Sequence, residues 1–118
     1  MSCKKDSVDQ KLILKGRDLV EKNERLLQEV ARFNATVGRE ARLRVFLLLT
    51  HFDELTPCDI SEILGYTMQT VSDHLSRLRT WGVVNTRREG RTVYYSLKPE
   101  WKKFFKKFFK MMADLSGK

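Results

Sequence analysis

The amino-acid sequence predicts a mainly α-helical fold closed by a β-hairpin. Three observations carry that expectation. Apolar residues recur at helical spacing along most of the 118-residue chain. Two β-branched and aromatic runs, at 83–86 and 92–97, flank a polar segment containing Gly90, which is a hairpin signal. Thr56-Pro57-Cys58-Asp59 and Thr67 have the form of helix starts, and Gly65 and Gly82 stand where helix ends belong.

The elements follow in order. Ser7-Val8-Asp9-Gln10 has the form of a capping box, a hydroxyl followed three residues later by Gln. Beyond it Leu12, Leu19, Leu26 and Phe33 recur every seven residues, and Gly16, Asn23, Val30 and Val37 share the offset positions. Ile13, Val20 and Leu27 widen the stripe, so one helix is expected over 8–37, weakened at Gly16. So long an amphipathic helix must bury its stripe, against a dimer partner by preference or else on the core of its own chain. A second helix is expected over 39–51, apolar on most sides, with Leu43, Val45, Phe46, Leu47 and Leu49 as core candidates.

In the third helix Thr56 caps, Pro57 suits the first position and Asp59 favours the positive end of the helix dipole. Ile60, Ile63 and Leu64 are expected inside, and Gly65 stops the helix. Thr67 then caps a helix from Met68 to about Thr80, whose inner face is Val71, Leu75 and Leu78. The hairpin comes next, and Pro99 closes it. A Phe-rich helix over 100–115 ends the chain. Helix, tight turn, helix and hairpin over 56–97 is the order of a winged helix-turn-helix, with the helix at 67–80 in the recognition position.

Composition narrows the function. Lys plus Arg is 23 against 15 for Asp plus Glu, a net charge of +8 that attracts polyanions, nucleic acid first. With 42% apolar and 32% charged residues the chain is expected to fold as a single domain over 1–118, at most with a long helical arm. Two cysteines 55 positions apart make no disulfide scaffold, and Met-Ser-Cys-Lys-Lys-Asp lacks the apolar stretch of a signal peptide. The longest apolar run, 45–49, is too short to span a bilayer. A cytoplasmic protein with reduced thiols and no membrane partner is expected. Without a Gly-rich phosphate loop, a metal-hydrolase motif or a nucleophile–base pair, an enzyme is not expected.

The outward face of the recognition helix carries the chemistry. Gln69, Thr70 and Asp73, near its N-terminus, are the expected base readers. Ser72, His74 and Arg77 can serve bases or phosphates, beside the cap Thr67. From Arg77 to Lys98 six basic residues face one acid, Glu89, a local charge of +5. Arg87, Arg88 and Arg91 are expected at the tip of the wing, over 86–92, where they can grip phosphates or enter a narrow minor groove.

Arg42-Leu43-Arg44-Val45-Phe46-Leu47-Leu48-Leu49, Cys58-Asp59-Ile60-Ser61-Glu62-Ile63-Leu64-Gly65, Val71-Ser72-Asp73-His74-Leu75-Ser76-Arg77-Leu78 and Gly82-Val83-Val84 before Arg87-Arg88-Glu89-Gly90-Arg91 resemble the ArsR/SmtB family of winged-helix repressors. The resemblance covers about 35–97. It implies a homodimer on a roughly palindromic double-stranded operator, joined through its first and last helices and released by a metal or an oxidant. Leu12, Leu19, Leu26, Trp101, Phe104, Phe105, Phe108 and Met112 are the expected interface residues.

The sensor departs from the thiol-rich members, which carry Cys-x-Cys-Asp where this chain has Thr56-Pro57-Cys58-Asp59. Some members also have a cysteine near the N-terminus, and Cys3 fits that position. The resemblance thus implies a site joining Cys58 of one subunit to Cys3 of the other, with Asp59 or His51 as supplements. Two thiolates suit a linear soft ion such as mercury, and are too few for structural zinc. Thiol oxidation is the rival signal, with Cys58 at a helix start expected to be reactive, and ordinary packing of both cysteines the third reading. A zinc site on the last helix, which has no His and one Asp, Asp114, is not expected.

That last helix also admits a rival reading from another class. Its apolar face of Trp101, Phe104, Phe105, Phe108, Met111, Met112 and Leu115 is flanked by five lysines, as in helices that dock on membranes or protein partners. A dimer helix is preferred, because so large an exposed patch is an aggregation hazard in a monomer.

Overall fold

The computed structural model describes residues 9–37 and 39–117. The chain divides into two compact units, Met1–Ala35 and Thr36–Lys118. The first holds α1 (Gln10–Lys22) and most of α2 (Glu24–Val37). The second holds α3 (Glu40–His51), α4 (Pro57–Leu64), α5 (Met68–Trp81), β1 (Val84–Glu89), β2 (Thr92–Leu97) and α6 (Pro99–Leu115). This is the mainly helical winged helix-turn-helix that the sequence predicts.

The expected single helix over 8–37 is two helices, broken at Asn23. The Asn23 side chain donates to the Leu19 carbonyl at 2.8 Å, and its amide donates to the Val20 carbonyl at 3.1 Å. A short polar side chain that bonds its own backbone competes with the regular ladder, and so the heptad is interrupted where its offset position is Asn. The N-cap is Asp9, which accepts from the amides of Lys11 and Leu12. Ser7 and Val8 lie outside the described residues.

The core of the second unit is aromatic at its centre. Phe46 of α3 stacks on Phe105 of α6 with centroids 4.4 Å apart, and meets Trp81 at the end of α5 edge-on at 6.1 Å. Trp101 continues the row 4.9 Å from Trp81. Val45, Leu49, Ile60, Val71, Leu75, Leu78 and Val83 fill the space around it, all buried. Two core expectations fail. Ile63 is 52% exposed and Leu47 is 41% exposed, because α4 and α3 each present one narrow stripe to the core. The α3 stripe runs 42, 45, 46 and 49, which is regular helical spacing and brings Arg42 inside.

α4 begins with a full capping box. Thr56 Oγ1 accepts from the Asp59 amide at 3.1 Å, and Asp59 Oδ2 accepts from the Thr56 amide at 2.9 Å. α4 and α5 both end on a left-handed glycine, Gly65 at φ +72° and Gly82 at φ +82°. Strands β1 and β2 pair antiparallel from Val84 with Leu97 to Glu89 with Thr92. Their turn is only Gly90-Arg91, with Gly90 at φ +64°, as a two-residue turn of the II′ kind requires. Arg87 and Arg88 therefore lie within β1, and only Arg91 sits in the turn, against the expectation of three arginines at the tip. Leu55 joins the sheet through paired hydrogen bonds with Tyr95, of 3.0 and 2.8 Å.

Two glycine substitutions separate backbone strain from space. Apart from the adjoining residues and, at Gly16, the helix's own backbone, no heavy atom lies within 4 Å of a Cβ added at either Gly82 or Gly16. Gly82→Ala must hold an alanine at positive φ, and should destabilise the domain by about 1–2 kcal/mol in urea denaturation. Gly16→Ala, inside helix α1, should instead raise helix stability by up to about 1 kcal/mol.

Candidate nucleic-acid interface

The start of α5 is built to present side chains outward. Thr67 caps it, its hydroxyl oxygen accepting from the Thr70 amide at 3.2 Å while its O–H donates to Thr70 Oγ1 at 3.0 Å. Gln69 Nε2 donates to Asp73 Oδ1 at 3.1 Å, one turn on, so these two exposed polar groups orient each other. Thr67, Gln69, Thr70, Ser72, Asp73 and Arg77 are all exposed, while Val71, Leu75 and Leu78 fix the opposite face in the core. His74 is half-buried with its ring 6.3 Å from Tyr66. Burial first, then the positive charges of Arg42 and Arg77, lower its pKa, with Asp73 opposing and Arg39 adding to the fall.

Clefts lie on both sides of this helix. One, of about 370 Å³, lies between α5 and the start of α3 and is edged by Arg39, Arg42 and Arg77. The other, of about 500 Å³, lies toward the wing and is edged by Ser72, Ser76, Arg79 and Tyr95. Arg39, Arg42 and Arg79 were not singled out in the sequence as site residues. For Arg42 the signal was its place in the core stripe of α3. Burial lowers its pKa first, and the neighbouring charges of Arg77 and Arg39 lower it further.

The wing arginines divide by role. Arg87 forms a two-pronged ion pair with Glu54, at 3.0 and 2.9 Å, donates to Glu89 at 2.9 Å and lies 4.4 Å over the Tyr94 ring. Hydrogen bonds to Glu54 and Glu89 raise its pKa, and the same bond lowers that of Glu54. Arg87 thus braces the middle of the wing against the segment before α4, which is a different use from the expected phosphate grip. Arg88 and Arg91 are exposed and, among the described residues, form no ion pair. Glu54, 33 residues from Arg87 in the chain, carries no sequence motif that would have revealed the pairing.

Of the expected interface residues, Phe105 is fully buried in its own core and cannot face a partner, because the Phe46 stack consumes it. Trp101 and Phe108 are half-buried, Phe104 is 40% exposed and Met112 is 50% exposed. In the first unit α1 buries no residue, and Leu12, Leu19 and Leu26 are exposed. Among the described residues no helix is long and apolar enough to cross a membrane.

The expected sensor is only partly described. Cys58 is an exposed free thiol in the first turn of α4, and Cys3 lies outside the described residues. The Asp59 carboxylate is engaged in the capping box, and His51 Nδ1 lies 3.0 Å from the Leu47 carbonyl. Among the described residues no group of three His, Cys, Asp or Glu side chains could hold a metal ion, so these residues do not by themselves fit one.

Comparison with known proteins bears on the whole arrangement. Residues 39–86 match the family model described as bacterial regulatory protein, arsR family. A cadmium resistance transcriptional regulatory protein CadC homolog of Staphylococcus aureus is 32% identical over 84 residues, 71% of this chain and 67% of that protein. The regulator CadC of Listeria innocua is 39% identical over 69 residues, and the alignment spans 58% of each protein. This chain thus spans under two thirds of the length of that curated relative. The NMR structure of the homodimeric winged helix-turn-helix DNA-binding domain Mb0332 from Mycobacterium bovis superimposes with a TM-score of 0.68 at 24% identity. That alignment covers 100% of this chain and 94% of the other, and at such identity the likeness is one of fold. The chain belongs to the arsR family of bacterial regulatory proteins, a family of transcriptional regulators and not of enzymes.

Proposed function

We propose that the chain is a cytoplasmic, homodimeric, sequence-specific DNA-binding repressor that a metal or thiol-directed signal releases from its operator. The observation that carries this is the exposed polar start of α5 beside the uncommitted Arg88 and Arg91 of the wing. Gln69, Thr70 and Asp73 read base edges in the major groove, with Ser72, His74 and Arg77 beside them. Arg88 and Arg91 hold the backbone, while Arg87 sets the angle of the hairpin. The exposed apolar residues of α6 and α1 support a second copy of the chain as the partner that covers them. For the signal, the exposed thiol of Cys58 is the entry point and Cys3 its partner thiol. The relatives named for cadmium resistance support a thiophilic metal.

The test is fluorescence anisotropy of the reduced, metal-free protein on DNA from its own promoter, against scrambled DNA at physiological salt. Promoter DNA should be preferred. Gln69→Ala should weaken that binding by about 5- to 150-fold, the worth of one good base contact of 1–3 kcal/mol. Arg91→Ala should weaken all sequences alike and make the salt dependence shallower by about one unit. Equal affinity for both DNAs would overturn the reading. One equivalent of mercuric ion per subunit should then abolish binding, and Cys58→Ser should remove that response. Indifference to metal but loss of binding with peroxide would move the signal to oxidation.

Two further variants check the supports of this arrangement. Met112→Glu should leave the fold intact and yield monomers in sedimentation, whereas Phe105→Ala should cost about 3–5 kcal/mol of stability. Glu54→Gln should leave the melting temperature nearly unchanged, because its partner Arg87 is exposed. It should instead increase the hydrogen exchange of β1 and β2 amides and weaken DNA binding.

A further inference from the structure

The imidazole of His74 is an ionisable group held where a charge is disfavoured. It lies in the second turn of α5, half-buried, with its ring 6.3 Å from that of Tyr66 in the turn before the helix. Its Nδ1 is shut off from solvent and, among the described residues, has no hydrogen-bond partner. A neutral imidazole can leave that nitrogen as a bare acceptor, whereas both nitrogens of an imidazolium are donors. A buried donor on a charged group, with nothing to accept from it, is the more costly of the two. The other groups that face the ring come from three segments: Arg39 and Arg42 at the start of α3, Asp73 and Arg77 on α5, and Tyr66 in the turn. Asp73 alone among them favours a proton on His74, and its Oδ1 already accepts from Gln69 Nε2. Burial first, and then the cations, hold the folded-state pKa below the ordinary histidine value of 6.5. The folded chain therefore binds this proton less readily than the unfolded chain. The stability that His74 contributes is complete above that value and declines as the pH falls through it.

We propose that His74 is a proton-operated latch between α5 and the start of α3: the neutral ring keeps it closed, and the protonated ring must leave its pocket for water, loosening the first two turns of α5. The cleft of about 370 Å³ beside the ring gives it room to move without displacing the core. Val71 and Leu75, buried on the opposite face, still tether the helix, so the change is a local opening and not unfolding. Gln69 and Asp73 stand on the loosened turns, and they orient each other only while those turns are fixed. Acid therefore removes the set geometry that base contacts need and at the same time adds a positive charge, which attracts any nucleic acid alike. The preference among DNA sequences narrows, while attraction to DNA as such does not fall. This last consequence rests on the DNA-binding reading above, whereas the latch itself does not.

The experiment has two arms, each run between about pH 7.5 and about pH 5.5. In the first, the His74 ring resonances and the hydrogen-exchange protection of the α5 amides are followed by NMR in the free protein. The ring should titrate below the ordinary histidine value. Protection of the amides from Val71 to Leu75 should fall several-fold and reversibly with the same midpoint, while Leu78 and Trp81 keep theirs. His74→Gln should remove this response, and His51→Gln, at the end of α3, should retain it. If His74→Gln does not fold, the match of the two midpoints in the unaltered protein decides. Protection that is unchanged across the ring titration, or that falls equally in His74→Gln, would overturn the latch. In the second arm, the affinities for promoter and scrambled DNA are measured over the same range. The ratio should shrink several-fold in acid without a loss of affinity for scrambled DNA, and His74→Gln should lose this dependence on pH from whatever affinity it starts. An open latch with a constant ratio would overturn the link to sequence reading. A protein that opens as expected but never prefers promoter DNA would sink the DNA reading alone.

Discussion

The stacking of Phe46 on Phe105 is the contact on which the second unit depends. It fastens α6, the last element, to α3, the first, and Trp81 then meets the same ring from the end of α5. Three helices that are distant in the chain are thus tied at one point. Helix α5 is held along one face, from Val71 through Leu75 and Leu78 to Trp81, and its polar face, from Gln69 to Arg77, is left outward. Burying a phenylalanine contributes roughly 1.5–3 kcal/mol, and paired rings add to that. In a domain of this size such a sum is a large share of the net stability.

Much of this was legible from the chain alone, because it is written locally. Caps, glycine stops and apolar spacing mark α3, α4 and α5 within a residue or so, since each signal acts on backbone groups a turn away. What could not be read was decided at a distance or by competition. Asn23 occupies a heptad position and breaks the helix by bonding its own backbone. Phe105 looks like any member of an apolar face until α3 arrives to claim it. Arg87 looks like a free wing cation until Glu54, far off in sequence, is brought beside it. Arg42 carries a charge into a stripe that spacing alone assigns to the core.

The positive charge of the chain is accordingly not one diffuse cloud. Around the hairpin, Arg87 spends its charge internally, on two carboxylates and a ring, and so stiffens the platform from which Arg88 and Arg91 project. Around α5 the balance is reversed, with three guanidiniums and a half-buried imidazole against one carboxylate.

The isolated bridge between Leu55 and Tyr95 gives the molecule a mechanical linkage. Leu55 stands one residue before the cap of α4, and Tyr95 lies in the middle of β2. Two backbone hydrogen bonds and the Glu54–Arg87 pair couple these segments side by side. The first turn of α4, which holds Cys58, therefore cannot tilt without pulling on the hairpin.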